Sequence, residues 1–147
     1  MKPKLIVGAS ERIHISPRMI SNGHWAMTKD AAKQFKVLSR FLLWSEGVYE
    51  GKERIRDLRD GELTRIIPIK SKEHSRLLEA VKDVKVGDND EIKSFVFENA
   101  EGIKIAIDPK YVPVLRLGIG YMKDPLGPLL VEDNDGNFLA VIMPRRL

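Results

Sequence analysis

The chain has 147 residues, 43% of them hydrophobic and 31% charged, with a net charge of +4 and a pI near 9.3. This is an ordinary soluble composition, with enough apolar residues for the core of one domain. The absence of cysteine excludes disulfides, thiolate chemistry and cysteine-ligated zinc, so a reducing cytoplasm is the expected compartment. No membrane span or signal peptide is expected, and the mildly basic charge permits a polyanionic partner without requiring one.

The first third of the chain predicts short strands followed by a helix. Leu5–Val7 and Arg12–Ile15 predict strands, the second because apolar and polar residues alternate along it. Asn22–Gly23 predicts a hairpin turn, since both residues tolerate the positive φ that such turns need. Thr28 is a candidate N-cap for a helix that runs from Lys29 to about Glu46.

The next segment is dense in charge. Val48–Gly61 predicts a solvated loop or an exposed strand, which is a natural joint between two halves of the domain. The chain is therefore expected to be a single domain over residues 1–147, divisible into halves at about 1–61 and 62–147.

The second half predicts further strands and helices. Leu63–Ile69 predicts a strand, and Ser71 is a candidate N-cap for a helix over Lys72–Val84. Ile92–Ile107 predicts a hairpin with a turn at its centre. Asp108–Pro109 predicts another helix start, with the aspartate as N-cap and the proline at the first helical position.

Two apolar runs around an Asp/Asn/Gly turn predict a β-hairpin near the end of the sequence. Leu129–Val131 forms the first run, Asp133–Asn137 the turn, and Phe138–Met143 the second run. Because the second run is apolar at every position, both of its faces are expected to be covered. The whole order of elements predicts an α+β domain with an antiparallel sheet backed on one side by two or three helices.

Several of these segments resemble one protein family. Lys123–Val131 followed by Ile142–Leu147 looks like the carboxyl end of bacterial sliding clamps, the β subunit of the replicative DNA polymerase, which typically closes with Met-Pro-x-Arg-Leu. Gly102–Tyr111 is similar to that family's strand leading into an Asn-Pro-x-Tyr helix start. Ser21–His24 is similar to its Thr-Asp-Gly-His turn, and Glu62–Pro68 to its Tyr-Arg-Arg-Val-Ile-Pro segment. The chain departs from the family in its net positive charge.

The resemblance implies a DNA-clamp-like domain and gives a meaning to basic residues on the predicted helices. Taken alone, a basic stripe on one helix is either a solvated face or a nucleic-acid contact. In sliding clamps such helices line a ring around duplex DNA, and their basic side chains touch phosphates without reading bases. The candidate DNA-facing residues are Lys29, Lys33, Lys36 and Arg40 on the first helix, Lys72 and Arg76 on the second, and Lys110 and Arg116 on the third.

The resemblance also implies a groove for short peptides of DNA polymerase and other clamp-binding proteins. The residues that match its border are Val141, Met143, Pro144, Arg146 and Leu147. Methionine and proline suit an adaptable apolar wall. The alternative is that this strand only completes the core. The family's groove also takes residues from a preceding domain.

Catalytic and metal-binding patterns are missing from the sequence. His14, His24 and His74 show no metal-ligand spacing. Asp133–Asn137 lacks the closing glutamate of a calcium loop, and Gly118–Gly120 lacks the third glycine of a dinucleotide site. No catalytic residue, metal or cofactor is therefore expected, and the protein is expected not to be an enzyme.

Three hypotheses follow from the sequence. The first is a processivity factor that encloses DNA as a homo-oligomer, because clamp rings contain six such domains and one chain of this length cannot encircle DNA. A reduced, phage-like relative that works without a closed ring is a variant of it. The second is a monomeric adaptor or regulator that binds replication or repair peptides. The third is an enzyme whose site includes His24 beside Trp25.

Overall fold

The computed structural model of the chain describes residues 5, 11–63, 65, 67, 70–86 and 91–144. The strands are β1 (Arg12–Ile15), β2 (Met19–Ser21), β3 (Trp25–Thr28), β4 (Gly47–Glu50), β5 (Glu53–Arg56), β6 (Ser75–Val86), β7 (Glu91–Asn99), β8 (Lys104–Ile107), β9 (Ile119–Met122), β10 (Leu129–Glu132) and β11 (Phe138–Ile142). The helices are α1 (Lys29–Ala32), α2 (Lys36–Ser39) and α3 (Val112–Leu115), with 3-10 turns at Arg40–Leu43 and Pro109–Tyr111. All strands belong to one 11-stranded sheet in the order β5-β4-β1-β2-β3-β11-β10-β9-β6-β7-β8, in which every pairing is antiparallel.

The predicted α+β fold, a DNA-clamp-like sheet backed by two or three helices, is wrong. The sheet dominates the described residues, and each α-helix has four residues. Thr28 does cap the first helix, since its hydroxyl accepts a hydrogen bond from the amide of Ala31 at 3.1 Å. The predicted helix to Glu46 is nevertheless broken at Phe35, whose backbone is extended (φ −110°, ψ 120°) and whose side chain is fully buried. Burial of this ring in the core outweighs the helix propensity of its neighbours.

The helix predicted over Lys72–Val84 is also wrong, because most of this segment lies in strand β6. Its leucines and valines fit the spacing of a helix face, but they are also compatible with a strand. β6 pairs with β7 along one edge, and its first residues pair with β9 along the other. These two pairings with residues distant in sequence decide that the segment is a strand. The local sequence alone gives no information about them.

Other local predictions are confirmed. β1 and the Asn22–Gly23 turn form as expected, and Gly23 has a φ of +94°. β7 and β8 form the expected hairpin, with Phe95 opposite Ile107. The strand predicted at Leu5–Val7 lies outside the described residues except for Leu5, which is not in a strand. Of the strand predicted at Leu63–Ile69, Leu63, Arg65 and Ile67 are described and none of them is in a strand, so this prediction is wrong at those positions.

The same strand connectivity occurs twice along the chain. β1, β2 and β3 form a meander, the chain then passes through α1 and α2, and β4 returns to pair with β1 before β5 pairs with β4. β6, β7 and β8 form a second meander, the chain passes through α3, and β9 returns to pair with β6 before β10 pairs with β9. β11 then joins the two sets by pairing with β10 and β3. The division of the domain at about residue 61 remains a prediction.

The two faces of the central sheet are covered by different parts of the chain. On the helical face, the helices pack on one large core that includes Trp25, Met27 and Val131. Both α1 and α3 contact β11 on this side. On the opposite face, Leu63 packs with Val141 in a second cluster. Leu63 belongs to the segment between β5 and β6, whose described residues (57–63, 65, 67 and 70–74) are here called the connector. We call this side the connector face.

β11 occupies the middle of the sheet, as the sixth of eleven strands. Ala140 and Ile142 belong to the core on the helical face, and Val141 belongs to the cluster under the connector. The expectation that both faces of this apolar strand are covered is confirmed.

Candidate functional site

A cleft of about 360 Å³ opens where the ends of several segments meet beside β11. Its lining residues are Glu11, His24, Asp108, Lys110, Tyr111, Met143 and Pro144. These residues come from the start, the middle and the end of the sequence, so the cleft exists only in the folded chain. We call it the Met143 cleft.

The turn that carries His24 is held by side-chain hydrogen bonds. The Asn22 side-chain oxygen accepts from the amides of His24 at 2.9 Å and Trp25 at 3.0 Å. The Asn22 side-chain nitrogen donates to Glu11 at 2.9 Å. The Ser21 hydroxyl donates to the carbonyl of Trp25 at 2.7 Å. This turn therefore presents His24 to the cleft from a fixed backbone, and Asn22 holds the Glu11 carboxylate beside it.

The opposite wall begins where β8 ends. The carboxylate of Asp108 accepts from the amide of Lys110 at 3.1 Å, which caps the 3-10 turn as the sequence predicts. Lys110 Nζ lies 5.1 Å from the centre of the Tyr111 ring, and this ring is buried. The wall thus combines an aromatic body with one cation and one carboxylate.

The end of β11 completes the cleft. The amide of Met143 donates to the carbonyl of His24 at 2.8 Å, so the backbone after β11 is tied to the turn after β2. The Met143 side chain is 41% exposed and Pro144 is half-buried. An exposed thioether beside a rigid ring is an apolar surface, and the described residues leave its outer part uncovered.

The predicted groove residues divide into three sets. Met143 and Pro144 line the cleft. Val141 is buried in the cluster under the connector, so the alternative that it completes the core applies to this residue. Arg146 and Leu147 lie outside the described residues. The sequence did not place Glu11, His24, Asp108, Lys110 or Tyr111 at the groove, although His24 and Tyr111 belong to segments that resemble the same family.

Six of the eight candidate DNA-facing residues lie in the helical layer. Lys33, Lys36 and Arg40 are exposed, Lys29 is partly exposed, and Lys110 and Arg116 are exposed on the second helical segment. Residues 29–46 and 108–117 together hold six basic and three acidic residues. Lys33 forms an exposed pair with Asp30 at 3.2 Å. Because exposed pairs are weak, Lys33 retains its capacity to contact a phosphate.

The other two candidates are separated from this layer. Lys72 lies in a turn before β6, and Arg76 lies on the strand itself. Arg76 is opposite Tyr121, whereas the next residue, Leu77, packs into the core on the helical face. Since side chains alternate along a strand, Arg76 points to the connector face. The helix that was expected to bring both residues to the DNA-facing surface does not form.

Sequence reasoning missed a polar cluster that fastens the connector to the sheet. Arg56 donates two hydrogen bonds to Glu62, with Nη1–Oε1 at 2.9 Å and Nη2–Oε2 at 2.7 Å, and His14 Nε2 lies 3.5 Å from the same carboxylate. Further along the connector, Lys70 pairs with buried Glu132 at 2.9 Å. The three residues of the first cluster are scattered in sequence, and no spacing rule would have found them.

All three residues of the first cluster have a shifted pKa, and that of Arg56 is raised by its hydrogen bonds to Glu62. The hydrogen bonds from Arg56 lower the pKa of Glu62 to about 2. Burial lowers the pKa of His14 below its ordinary value, and the nearby Glu62 carboxylate opposes this shift only in part. Near neutral pH, Glu62 is therefore an anion paired with Arg56, and His14 is neutral.

The turn between β10 and β11 is stabilised by hydrogen bonds among its own residues. One carboxylate oxygen of Asp133 accepts from the amides of Asp135 and Asn137, each at 2.9 Å, and these bonds lower the pKa of Asp133. Among the described residues, no group of three or more His, Asp or Glu side chains is arranged to hold a metal ion. None of the helices in the described residues has the length and hydrophobicity that a membrane span requires.

No protein-family model, curated protein or solved structure matches the chain.

Proposed function

We propose that the protein is a sliding-clamp-like accessory protein of DNA replication that acts by binding, not by catalysis. Its helical layer contacts duplex DNA without sequence preference, and the Met143 cleft holds a short peptide of a DNA polymerase or another clamp-binding protein. Its place of action is the cytoplasm, where the DNA of a bacterial cell or an infecting phage is copied.

The observation that carries this proposal is that three segments distant in sequence meet at one cleft. The three segments Ser21–His24, Gly102–Tyr111 and Ile142–Leu147 resemble the sliding-clamp family in sequence, and they lie far apart along the chain. His24, Tyr111 and Met143 from these segments line one cleft. Chance resemblances in separate segments have no reason to meet at one surface. The cleft volume of about 360 Å³ also lies in the range of small binding sites.

The DNA-binding part of the proposal rests on charge. The helical layer has an excess of basic side chains, and they come from both helical segments, residues 29–46 and residues 108–117. Lysine and arginine side chains on an exposed layer bind phosphates through salt-sensitive contacts that carry no sequence information. Such contacts suit a protein that must move along DNA.

We propose a homo-oligomer because the sheet has an unpaired edge on each side in the described residues. The end strands are β5 and β8, and each has an edge without a partner strand in the described residues. Edge strands pair readily with other strands, and head-to-tail pairing of two different edges builds rings when the rotation closes. We infer that β5 of one copy pairs with β8 of the next.

A monomeric adaptor is the second candidate, and the composition of β5 favours it. Glu53, Arg54 and Arg56 make three of the four residues of this edge strand charged. Charged residues at an edge are a common protection against pairing. The adaptor would use the Met143 cleft in the same way but would not enclose DNA.

DNA binding is tested by fluorescence anisotropy with a labelled duplex over a range of salt concentrations. The combined variant Lys33→Glu, Lys36→Glu, Arg40→Glu is expected to weaken binding and to reduce the slope of log K against log salt by about 0.9 for each phosphate that the protein no longer neutralises. Arg76→Glu is the matched control, because Arg76 is an exposed cation on the opposite face. Failure of the wild-type protein to bind at low salt, or an equal effect of the control, would contradict the proposal.

The molecular mass in solution distinguishes the homo-oligomer from the monomeric adaptor. Sedimentation equilibrium of the purified protein, with and without duplex DNA, is expected to show a defined oligomer. Ile55→Pro in β5 removes a backbone donor from the edge and should shift the oligomer towards monomer. A monomer at every concentration and with DNA, combined with retained peptide binding, would favour the adaptor.

A further inference from the structure

A second cleft, of about 410 Å³, lies on the connector face. The turn between β1 and β2 forms one side, and the connector forms the other. Met19, Leu58, Leu63 and Ile67 give it an apolar floor. None of the residues that line the Met143 cleft lines this one, so the two sites are separate.

The rim of the second cleft is positively charged. Arg18 and Arg59 line it and are exposed. Within the part of the chain that the structure describes, neither guanidinium has a hydrogen bond or an ion pair, whereas Arg54 and Arg56 are both engaged with carboxylates. These two arginines are therefore available to an external anion.

The acidic group at this cleft does not cancel the rim charge. Glu62 is the acidic residue among the described lining residues, and both of its oxygens accept hydrogen bonds from Arg56. Its charge is thus matched by Arg56, which does not line the cleft. The two rim arginines remain as the uncompensated charge.

We propose that this second cleft binds a short peptide of a partner protein in which a bulky apolar side chain is flanked by carboxylates. The apolar floor receives the side chain, and Arg18 and Arg59 pair with the carboxylates on either side. Duplex DNA offers anions but no bulky apolar group for the floor, and a basic amphipathic peptide would meet like charges at the rim. The site goes beyond the DNA contact and the Met143 cleft, and does not depend on them.

The proposal is tested with three fluorescein-labelled peptides in anisotropy titrations. The first, Asp-Glu-Ile-Asp-Phe-Leu, has both required features. The second, Lys-Lys-Ile-Lys-Phe-Leu, keeps the apolar residues and reverses the charge. The third, Asp-Glu-Ser-Asp-Ser-Ser, keeps the carboxylates alone. The first peptide is expected to bind at least about ten-fold more tightly than either of the others.

Variants locate the binding site. Arg18→Glu and Arg59→Glu should each weaken the first peptide about five-fold and reduce its salt dependence. Leu58→Ser should weaken it without changing the salt dependence, since this side chain is half-buried at the floor. Arg76→Glu is the matched control here too, because Arg76 is an exposed cation on the same face that does not line the cleft, and it should have no effect. Thermal unfolding of each variant checks that it is folded.

Four results would overturn the proposal. The first is that the first peptide does not bind, and the second is that the first two peptides bind equally. The third is that Met143→Glu loses binding while Arg18→Glu and Arg59→Glu do not. The fourth is that Leu58→Ser changes the oligomeric mass. The third would place the peptide in the other cleft, and the fourth would assign this cleft to a second copy of the chain. Loss of DNA binding in the helical-layer variant would leave the result with these peptides unchanged.

Discussion

The backbone amide of Met143 donates a hydrogen bond of 2.8 Å to the carbonyl oxygen of His24. This bond continues the pairing of β11 with β3 by one residue beyond the strand and joins an early turn of the chain to its last strand. Because the turn at His24 is itself fixed by Asn22, the exposed thioether of Met143 projects from a backbone held on both sides. A preorganised apolar group of this kind loses little entropy when a partner covers it.

Met143→Glu is predicted to abolish peptide capture without unfolding the protein. The side chain is 41% exposed, so a charge there destabilises the fold little but opposes burial under an apolar partner. The measurement is binding of labelled short peptides from the replicative and repair polymerases of the host, displayed as an array. Leu126→Glu is the matched control, since Leu126 is a 57% exposed apolar residue outside the cleft. An equal loss in both variants would show that the cleft is not the site.

The local predictions that were confirmed depend on short-range chemistry. Thr28 caps α1, Gly23 and Gly136 take positive φ in hairpin turns, and Asp108 caps the turn after β8. Each of these conformations is decided by residues within a few positions. The apolar run of β11 also predicted its burial on both faces. It did not show that the connector would cover one of them.

The predictions that were wrong depend on contacts that are distant in sequence. β6 is a strand because β7 and β9 pair with it, and its own apolar spacing suits a helix equally well. The helix after Thr28 breaks because Phe35 is drawn into the core. Arg76 was assigned to the DNA-facing surface only through the helix that does not form. The convergence of His24, Tyr111 and Met143 likewise required the tertiary structure.

Gly118→Ala is predicted to destabilise the protein by about 3 kcal/mol. A β-carbon at this position would lie 2.2 Å from the carbonyl oxygen of Glu132, and that oxygen belongs to a central strand that cannot move away. Gly102→Ala is the comparison, because its β-carbon would meet nothing within 4 Å and the cost there is the positive φ of +80°. Urea unfolding should show a cost of about 1 kcal/mol for Gly102→Ala. Equal costs would contradict the packing argument.

Glu62→Gln is predicted to remove part of the stability at neutral pH and almost none in strong acid. The pKa of Glu62 is about 2, below its ordinary value of 4.5, so the folded state favours the carboxylate. The resulting stability is present above about pH 4.5 and is lost as the pH falls towards 2. We expect a cost of about 1 kcal/mol near pH 7 from urea midpoints, and a smaller one near pH 3. Glu101→Gln, an exposed turn residue, should cost little at either pH.

His14 is predicted to make the protein less stable as the pH falls through the range below 6.5. Burial lowers the pKa of His14 from its ordinary value of 6.5, so the folded state favours the neutral ring and the unfolded state binds the proton more readily. The stability that this difference contributes is complete above about pH 6.5 and is lost as the pH falls through the lowered pKa.

Protonation would also place a cation beside Arg56, which already pairs with Glu62. Melting temperatures between about pH 7.5 and pH 5 should therefore fall less steeply in His14→Gln than in the wild-type protein. His74→Gln is the control, because His74 lies just before β6 and is partly exposed there. If the wild-type and His14→Gln curves run parallel while their midpoints differ, His14 has only a packing role and the connector is not fastened in a pH-dependent manner.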